Sequence, residues 1–182
     1  MKKTIRLIAL AALAAAPTLA FGQRSSSVQF GVSGGLSVPT GNHADRVDAG
    51  YQVGGQVWVW SSPTIGFRGD VSYDNWKAKV GNVNLRSLAA VANIVAHPAS
   101  MAKSAIAPYF VGGVGAFNTK AYTSSNNTSS STNTETNIGV QGGGGLEFRL
   151  AGFSTFVEAK FVNVFADGNN TNWIPITFGV RF

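Results

Sequence analysis

Cysteine is absent from the 182 residues, charged side chains make up only 12% of them, and there are just two histidines. Without cysteine the chain can form no disulfide bond, no thiol nucleophile and no thiolate metal site. After the first 22 residues no apolar run reaches the roughly 18 residues that a membrane helix needs. If this chain crosses a membrane, it must therefore cross it as β-strands.

The first 22 residues resemble an export signal rather than part of the fold. Lys2, Lys3 and Arg6 precede an apolar run over 7–16, and small residues over 18–22 suit cleavage. This order is typical of a Sec signal peptide, with a short membrane helix as the alternative. The segment holds three of the cations behind the formal charge of +6, so about +3 remains. The remaining basic residues are scattered along the chain, which gives no indication of a nucleic-acid surface. We predict a signal over 1–22 and one domain over 23–182.

The end of the chain shows the clearest pattern. From Ile174 to Phe182 every even position is apolar and every odd position is small, polar or charged. A period of two is typical of a strand whose two faces meet different surroundings. Similar segments recur along the chain and predict eight strands, over 28–38, 51–60, 65–73, 83–95, 109–122, 138–150, 153–165 and 174–182.

Eight alternating strands predict an all-β fold, an eight-stranded antiparallel up-and-down transmembrane β-barrel. Most connections fit long polar loops at one end and tight turns at the other, but the connection over 96–108 breaks this order. The tract over 123–134 consists of serine, threonine and asparagine, which predicts a mobile solvent loop because it can bury little apolar surface. A soluble, lipocalin-like barrel with its apolar face inward is the alternative that alternation leaves open.

The polar face of the strands carries most of the charge. A lumen of eight strands has just enough room for its side chains, so charges there must be paired. We predict an ion-pair network that plugs the lumen, with a conduction path or gate as the alternative. Its members are Arg68, Asp70, Arg86, Glu147, Arg149, Glu158, Lys160 and Arg181.

Arg86 decides the register of the fourth strand in this interpretation. An arginine on the lipid face costs about 2–4 kcal/mol at mid-bilayer depth, so Arg86 is placed inward. Trp58 and Trp60 also fall on the lumen face of their strand, where the pattern gives no reason for them. An outward aromatic girdle near the strand ends is predicted from Tyr51, Tyr73, Tyr109, Phe148, Phe153 and Phe182.

Candidate catalytic residues are few. His43 lies in the first loop near Asp45 and Asp48, which could serve acid–base chemistry at the rim, although a loop histidine beside carboxylates is commonly just solvated. Ser33 matches G-x-S-x-G, but that motif needs a strand–turn–helix elbow, and Ser33 lies within a predicted strand. His97 belongs to the opposite end of the barrel and cannot join His43. We predict no catalytic, cofactor or metal site.

Four segments carry a family resemblance: 108–115, 144–149, 156–161 and the end over 178–182. Through them nearly all of the chain after the signal resembles the small eight-stranded outer-membrane barrels of the outer-membrane protein A and X families. The resemblance implies a monomer in a Gram-negative outer membrane, in contact with its lipid and lipopolysaccharide. It also implies insertion by the barrel-assembly machinery, with Phe182 as the assembly signal. The protein A family has a second, peptidoglycan-binding domain that this chain lacks, which speaks against a cell-wall anchor.

Three functions remain open at this point. The first is a non-enzymatic barrel with an envelope or surface-interaction role through its extracellular loops. The second is a narrow transport barrel for small or apolar solutes. The third is a lipid A-modifying enzyme centred on His43 at the rim.

Overall fold

The computed structural model describes residues 28–80, 83–125, 128–166 and 170–182, and for 122–125 and 128–133 it describes the backbone alone. The predicted signal over 1–22 lies outside these residues. Eight antiparallel strands pair in chain order, and the last pairs with the first to close the barrel, which confirms the predicted fold class. The strands are β1 Val28–Thr40, β2 Gly50–Trp60, β3 Ile65–Lys77, β4 Val83–Ala96, β5 Ile106–Ser125, β6 Thr128–Leu150, β7 Phe153–Val164 and β8 Thr171–Arg181.

The apolar face of the strands is the outer face. On β3, Phe67 and Val71 are more than half exposed, whereas Arg68 and Asp70 between them are buried. A soluble barrel would reverse this arrangement because it must hide its apolar side chains from water. The lipocalin-like alternative, which needs the apolar face inward, is therefore wrong. Within the described residues no helix has the length and apolar character to cross a membrane.

The barrel has two different ends. The segments 61–64, 97–105 and 151–152 connect strands at one of them, which we call the turn end. The segments 41–49, 78–80 and 165–166 and the β5–β6 hairpin lie at the other, which we call the loop end. A 3-10 turn over Gly41–His43 follows β1 there.

The predicted loop over 123–134 is wrong in the structure. The ladder between β5 and β6 continues through it, with Thr123 opposite Ser130 and Ser125 opposite Thr128, after a register shift between Lys120 and Ala121. The composition argument considered apolar burial alone. Backbone hydrogen bonds that extend an existing ladder need no buried face, and threonine suits an extended backbone.

The predicted inward orientation of Arg86 is also wrong. On β4 the buried positions are the odd ones from Ser87 to Val95, and Arg86 is exposed on the outer face. Arg86 lies opposite Asn75 and Lys120 near the loop end. The cost of a lipid-facing arginine falls to about 0–1 kcal/mol near the interface, so the argument that placed it inward does not apply at this height.

Tight strand packing makes one glycine indispensable. A Cβ atom on Gly143 would lie 2.1 Å from the carbonyl oxygen of Ala159 on β7, whereas on Gly142 its nearest neighbour, the carbonyl oxygen of Val111, would be 3.9 Å away. Gly143 faces the lumen side and Gly142 the outer side.

Gly143→Ala is expected to reduce the yield of folded barrel strongly, because a backbone atom of the next strand must move to admit the methyl group. Gly142→Ala, one position away, is the matched control and should fold normally. Heat modifiability on gels, before and after boiling, measures the folded fraction. Equal folded fractions for the two variants would contradict the close approach.

Candidate functional site: the charged lumen

An ion-paired cluster lies in the middle of the lumen and joins opposite walls. Arg68 of β3 meets Glu158 of β7, with Nη1 2.5 Å from Oε2 and Nη2 3.0 Å from Oε1. The same guanidinium contacts Asp70, with Nε 2.7 Å from Oδ1 and Nη2 2.8 Å from Oδ2. Lys160 lies 3.1 Å from Glu158 and 3.3 Å from Asp70. Each of the four charges is buried and has an opposite partner, as burial requires.

Alternation explains why these four side chains meet. Positions 68 and 70 share the inner face of β3, and positions 158 and 160 share the inner face of β7. The two strands are not neighbours in the sheet, so the contacts cross the lumen. A single guanidinium that reaches two carboxylates in forked geometry is the strongest form of side-chain ion pair.

Neutral polar groups complete the middle cluster. Tyr109 donates its hydroxyl to Oε2 of Glu158 at 2.9 Å. Gln141 donates to Asp70 at 3.2 Å and to the side-chain oxygen of Asn93 at 2.6 Å. These bonds use acceptor positions that the cations leave open, so the carboxylates are well satisfied without bulk water.

Tyr109 corrects the predicted girdle. Its side chain is 2% exposed and points into the lumen, whereas Phe110 beside it is exposed on the outer face. The sequence pattern around it is ambiguous because glycine dominates the following positions. The hydroxyl also has a reason to be inside, since a buried tyrosine needs a hydrogen-bond partner and Glu158 provides one.

A second charged cluster closes the turn end. Glu147 accepts from Arg181 and lies 3.1 Å from Nε of Arg149. Nε2 of His97 lies 3.4 Å from the same carboxylate, and Nδ1 lies 3.0 Å from the carbonyl oxygen of Pro108. Burial lowers the pKa of His97, and the Glu147 carboxylate opposes this effect.

The connection over 97–105, whose role the sequence left open, covers this cluster. Its backbone is held by the amide of His97 bonded to the carbonyl oxygen of Thr64 at 2.8 Å. Arg149 donates to the carbonyl oxygens of Ala102 and Ser104 at 2.5 and 3.2 Å. Ala102 is buried, so the connection lies across the mouth instead of extending into solvent.

Trp58 separates the two clusters. The centroid of its ring lies 4.6 Å from the guanidinium carbon of Arg68 in the middle cluster and 4.7 Å from that of Arg181 in the turn-end cluster. Trp60 stacks on it with ring centroids 5.9 Å apart and donates to Oε1 of Gln29 at 2.8 Å. Desolvated cation–π contacts of this kind contribute about 2 kcal/mol, which explains two lumen tryptophans that the sequence pattern did not.

An aromatic layer closes the loop end. Trp173 meets Trp76 and Phe117 edge-on, with ring centroids 5.2 and 5.8 Å away, and Val47 from the first loop is buried against them. Just below, Asp74 is buried and accepts from Ser37 at 2.7 Å and from Gln52 at 3.2 Å. Sequence reasoning missed Asp74 and Trp76 because it ended the third strand at position 73; continued alternation would have placed both inward.

His43 belongs to this aromatic layer. It is 6% exposed and meets the ring of Trp76 edge-on at 5.2 Å and that of Trp173 at 6.4 Å. Asp45 and Asp48, its predicted partners for acid–base chemistry, are exposed in the loop above. The expectation of a solvated loop histidine is therefore wrong. Burial, and to a lesser extent Arg46, lowers the pKa of His43 to about 4.

Of the eight predicted lumen charges, the structure brings seven together in these two clusters and places Arg86 elsewhere. The middle cluster holds four and the turn-end cluster holds Glu147, Arg149 and Arg181. No group of three or more potential metal ligands occurs among the residues that the structure describes. Within the described residues, charge pairs, aromatic rings and the 97–105 connection occupy successive levels of the lumen.

Comparisons with known proteins agree with this architecture. The outer membrane protein beta-barrel domain family matches residues 7–182. Neisserial surface protein A superposes with a TM-score of 0.64 at 12% identity, over 86% of this chain and 96% of that one. Yersinia pestis Ail (16% identity, 85% and 99% coverage) and Pseudomonas aeruginosa OprG (16%, 85% and 95%) each give a TM-score of 0.51. At these identities the likeness concerns the fold alone. No curated protein sequence matches the chain.

Glu158→Ala is expected to destabilise the barrel by about 3–5 kcal/mol, because Arg68 and Lys160 lose a buried partner. Glu135→Ala is the control, since Glu135 is exposed on the β6 side of the hairpin, and it should leave the unfolding free energy almost unchanged. Urea unfolding in lipid vesicles, followed by tryptophan fluorescence, measures both. A Glu158 variant as stable as the Glu135 variant would show that the pair contributes little.

Acid is expected to weaken the loop-end layer. The pKa of His43 is about 4 in the folded chain and about 6.5 when unfolded, so the unfolded state binds more protons between these values. The stability that neutral His43 contributes is complete above pH 6.5 and falls as the pH drops towards 4. An NMR titration of the imidazole in micelles should give a midpoint near pH 4. His43→Leu should remove this part of the acid sensitivity, and a midpoint near 6.5 would contradict the burial.

Proposed function

This chain belongs to the outer membrane protein beta-barrel family, and we propose that it is a closed, non-conducting and non-enzymatic barrel that acts through its loop end. The observation that carries the proposal is the filled lumen. Arg68 bridges β3 to β7 in the middle, Arg181 and the 97–105 connection close the turn end, and Trp173 closes the loop end. A barrel so occupied offers its outer surface and its loops to partners.

The topology supports an extracellular loop end. Outer-membrane barrels have short periplasmic turns and longer extracellular loops, so the β5–β6 hairpin projects outward from the cell. Its strands run well past their neighbours, and its residues over 123–134 are small hydroxyl and amide side chains. These side chains supply many donors and acceptors and little apolar surface, which suits contact with a glycan or another polar surface.

The same family membership suggests how the chain reaches the membrane and what surrounds it there. A Sec signal over 1–22 would export the chain, and the barrel-assembly machinery would insert it as a monomer in contact with outer-membrane lipid and lipopolysaccharide. Two of the similar structures are those of a Neisserial surface protein and of Ail, the attachment invasion locus protein of Yersinia pestis. These descriptions belong to those proteins, and they make a surface-interaction role here reasonable to test.

The purified chain is expected to give no steady single-channel current in planar bilayers, because buried ion pairs and aromatic rings fill successive levels of the lumen. Glu158→Ala, which opens the middle cluster, should raise the frequency of brief openings relative to Glu135→Ala. A steady ohmic current from the unaltered chain would overturn the closed barrel and favour the transport function.

A separate binding experiment on whole cells tests the surface-interaction role. Cells that display the full chain are applied to arrays of glycans and extracellular proteins, alongside cells whose hairpin over 121–132 is replaced by a two-residue turn. We expect the shortened chain to keep its heat modifiability and to lose array binding. Unchanged binding by the shortened chain, or none by the full chain, would count against a role for the hairpin. Mass analysis of lipid A from the same cells tests the enzymatic alternative.

A further inference from the structure

An open pocket lies in the turn-end mouth of the barrel, beside the 97–105 connection. Its volume is about 280 Å³, and its walls come from β1, β6, β7 and β8 and from the turn between β6 and β7. We call it the turn-end pocket; its polar lining is Gln29, Glu147, Arg149, Ser154 and Arg181. A space of this size holds about nine water molecules at liquid density, or one small organic molecule.

The charges around the turn-end pocket do not balance. In the middle cluster two cations meet two carboxylates, whereas here Arg149 and Arg181 share the single carboxylate of Glu147. His97, which also contacts Glu147, adds no negative charge in either protonation state. The side chain of Arg149 is 30% exposed, but Arg181 is only 5% exposed. Buried charges are normally paired, so the described cluster is one negative charge short.

The hydrogen bonds of the two guanidinium groups show the same shortfall. Arg149 is well engaged, since Nε and Nη2 donate to Glu147 and Nη1 donates to the carbonyl oxygens of Ala102 and Ser104. Arg181 donates through Nη2 to Glu147, and its Nε is buried without a hydrogen-bond partner within the described residues. An unmade hydrogen bond on a buried charged group is especially costly, so Arg181 favours a further acceptor.

Aromatic rings stabilise Arg181 only in part. Its guanidinium carbon lies 4.7 Å from the ring centroid of Trp58 and 5.5 Å from that of Trp60. A cation–π contact lies over the face of a ring. It brings no net negative charge and no acceptor in the plane of the guanidinium, where its N–H groups point.

The main chain of Phe182, beside the turn-end pocket, is engaged elsewhere. Its oxygen accepts from the amide of Phe30 at 2.9 Å, and its amide donates back to the Phe30 oxygen at the same distance. The ion pairs of Arg149 and Arg181 both go to Glu147. The missing negative charge must therefore come from a bound molecule.

The remaining walls indicate which anion fits. On the inner face, Ser154 lies opposite both Arg149 and Arg181 in the neighbouring ladders, so a hydroxyl stands at the level of the two cations. Leu150 and Phe153 add apolar surface. A chloride ion would leave most of the volume empty, and a phosphate carries up to two charges. A carboxylate supplies one charge and two oxygens that match the fork of a guanidinium.

We propose that the turn-end pocket binds one small organic acid, of about the size of an amino acid, through its carboxylate. The carboxylate meets the two arginines, and the rest of the molecule lies between Ser154, Gln29 and the apolar surface of Phe153. This site goes beyond the proposed surface role and depends neither on the hairpin nor on conductance. With the loop end extracellular, as proposed, the ligand is a solute of the periplasm.

The test uses the full chain in phosphocholine micelles and two probes of nearly equal shape, N-acetylglycine and the uncharged N-acetylglycinamide. NMR follows the backbone amides of Gly152 and Ser154 and the Nε–H signals of the arginines during titration. We expect saturable shifts with N-acetylglycine and at least about tenfold weaker binding of the amide, since charge-assisted hydrogen bonds are the strong ones. Equal affinities, or no saturable shift with N-acetylglycine, would overturn the proposal.

Two charge variants locate the carboxylate. Arg149→Gln should abolish the preference for N-acetylglycine, because the remaining Arg181 is then balanced by Glu147. Lys103→Gln is the matched control: it removes one exposed cation from the same end without changing the lining, and it should keep the preference. Loss of the preference in both variants would indicate attraction by net charge alone and would contradict a built site.

A third variant guards against a folding defect, since Arg149 also holds the 97–105 connection. Ser154→Phe fills the turn-end pocket and leaves the hydrogen bonds of both guanidinium groups in place. It should stay heat-modifiable and lose N-acetylglycine binding; undiminished binding by the folded variant would place the ligand elsewhere and overturn the site. Sodium phosphate and sodium chloride are titrated as competitors. Displacement by either salt at a lower concentration than N-acetylglycine itself requires would assign the pocket to an inorganic ion and overturn the organic acid.

Discussion

The ion pair between Arg68 and Glu158 is the interaction on which the rest of the lumen depends. It joins strands on opposite walls, and each partner is almost completely buried. A charge in such surroundings would be very costly if left alone, so its neighbours are constrained in turn. Asp70 and Lys160 complete the charge balance, and Tyr109 uses a remaining acceptor position. The charges must pair with one another because the lumen of an eight-stranded barrel is narrow and leaves space for side chains but little for water.

In the proposed closed barrel, contact with other molecules takes place at the outer wall, the loops and the turn-end pocket. Trp58 contacts the middle cluster and the turn-end cluster through two guanidinium groups. The loop end is closed by apolar rings that need no charge. The wall presents an apolar band, and the β5–β6 hairpin consists largely of hydroxyl and amide residues.

Several sequence predictions are confirmed, and those that are wrong have identifiable causes. Alternation located the eight strands because the two faces of a barrel wall meet such different media. The error at Arg86 came from applying a mid-bilayer cost to a residue near the interface. The errors at Tyr109 and over 123–134 came from segments rich in glycine or in small polar residues, where alternation carries little signal. Asp74 and Trp76 were missed because the third strand continues to Lys77, beyond the segment where apolar residues mark one face.

Strand number, the division into a lipid face and a lumen face, and the inward position of seven of the eight predicted lumen charges were all contained in the order of residues. Local chemistry determines them, since a strand must present each second residue to the same medium. The order of residues does not show which side chains form pairs. Arg68 and Glu158 are ninety positions apart, and only the closure of the sheet into a barrel brings them together. The turn-end cluster has the same origin. Glu147 lies on β6 and Arg181 on β8, two strands that are not neighbours in the sheet, and only the closed barrel brings them together, because strand register rather than composition decides which side chains share one level of the lumen.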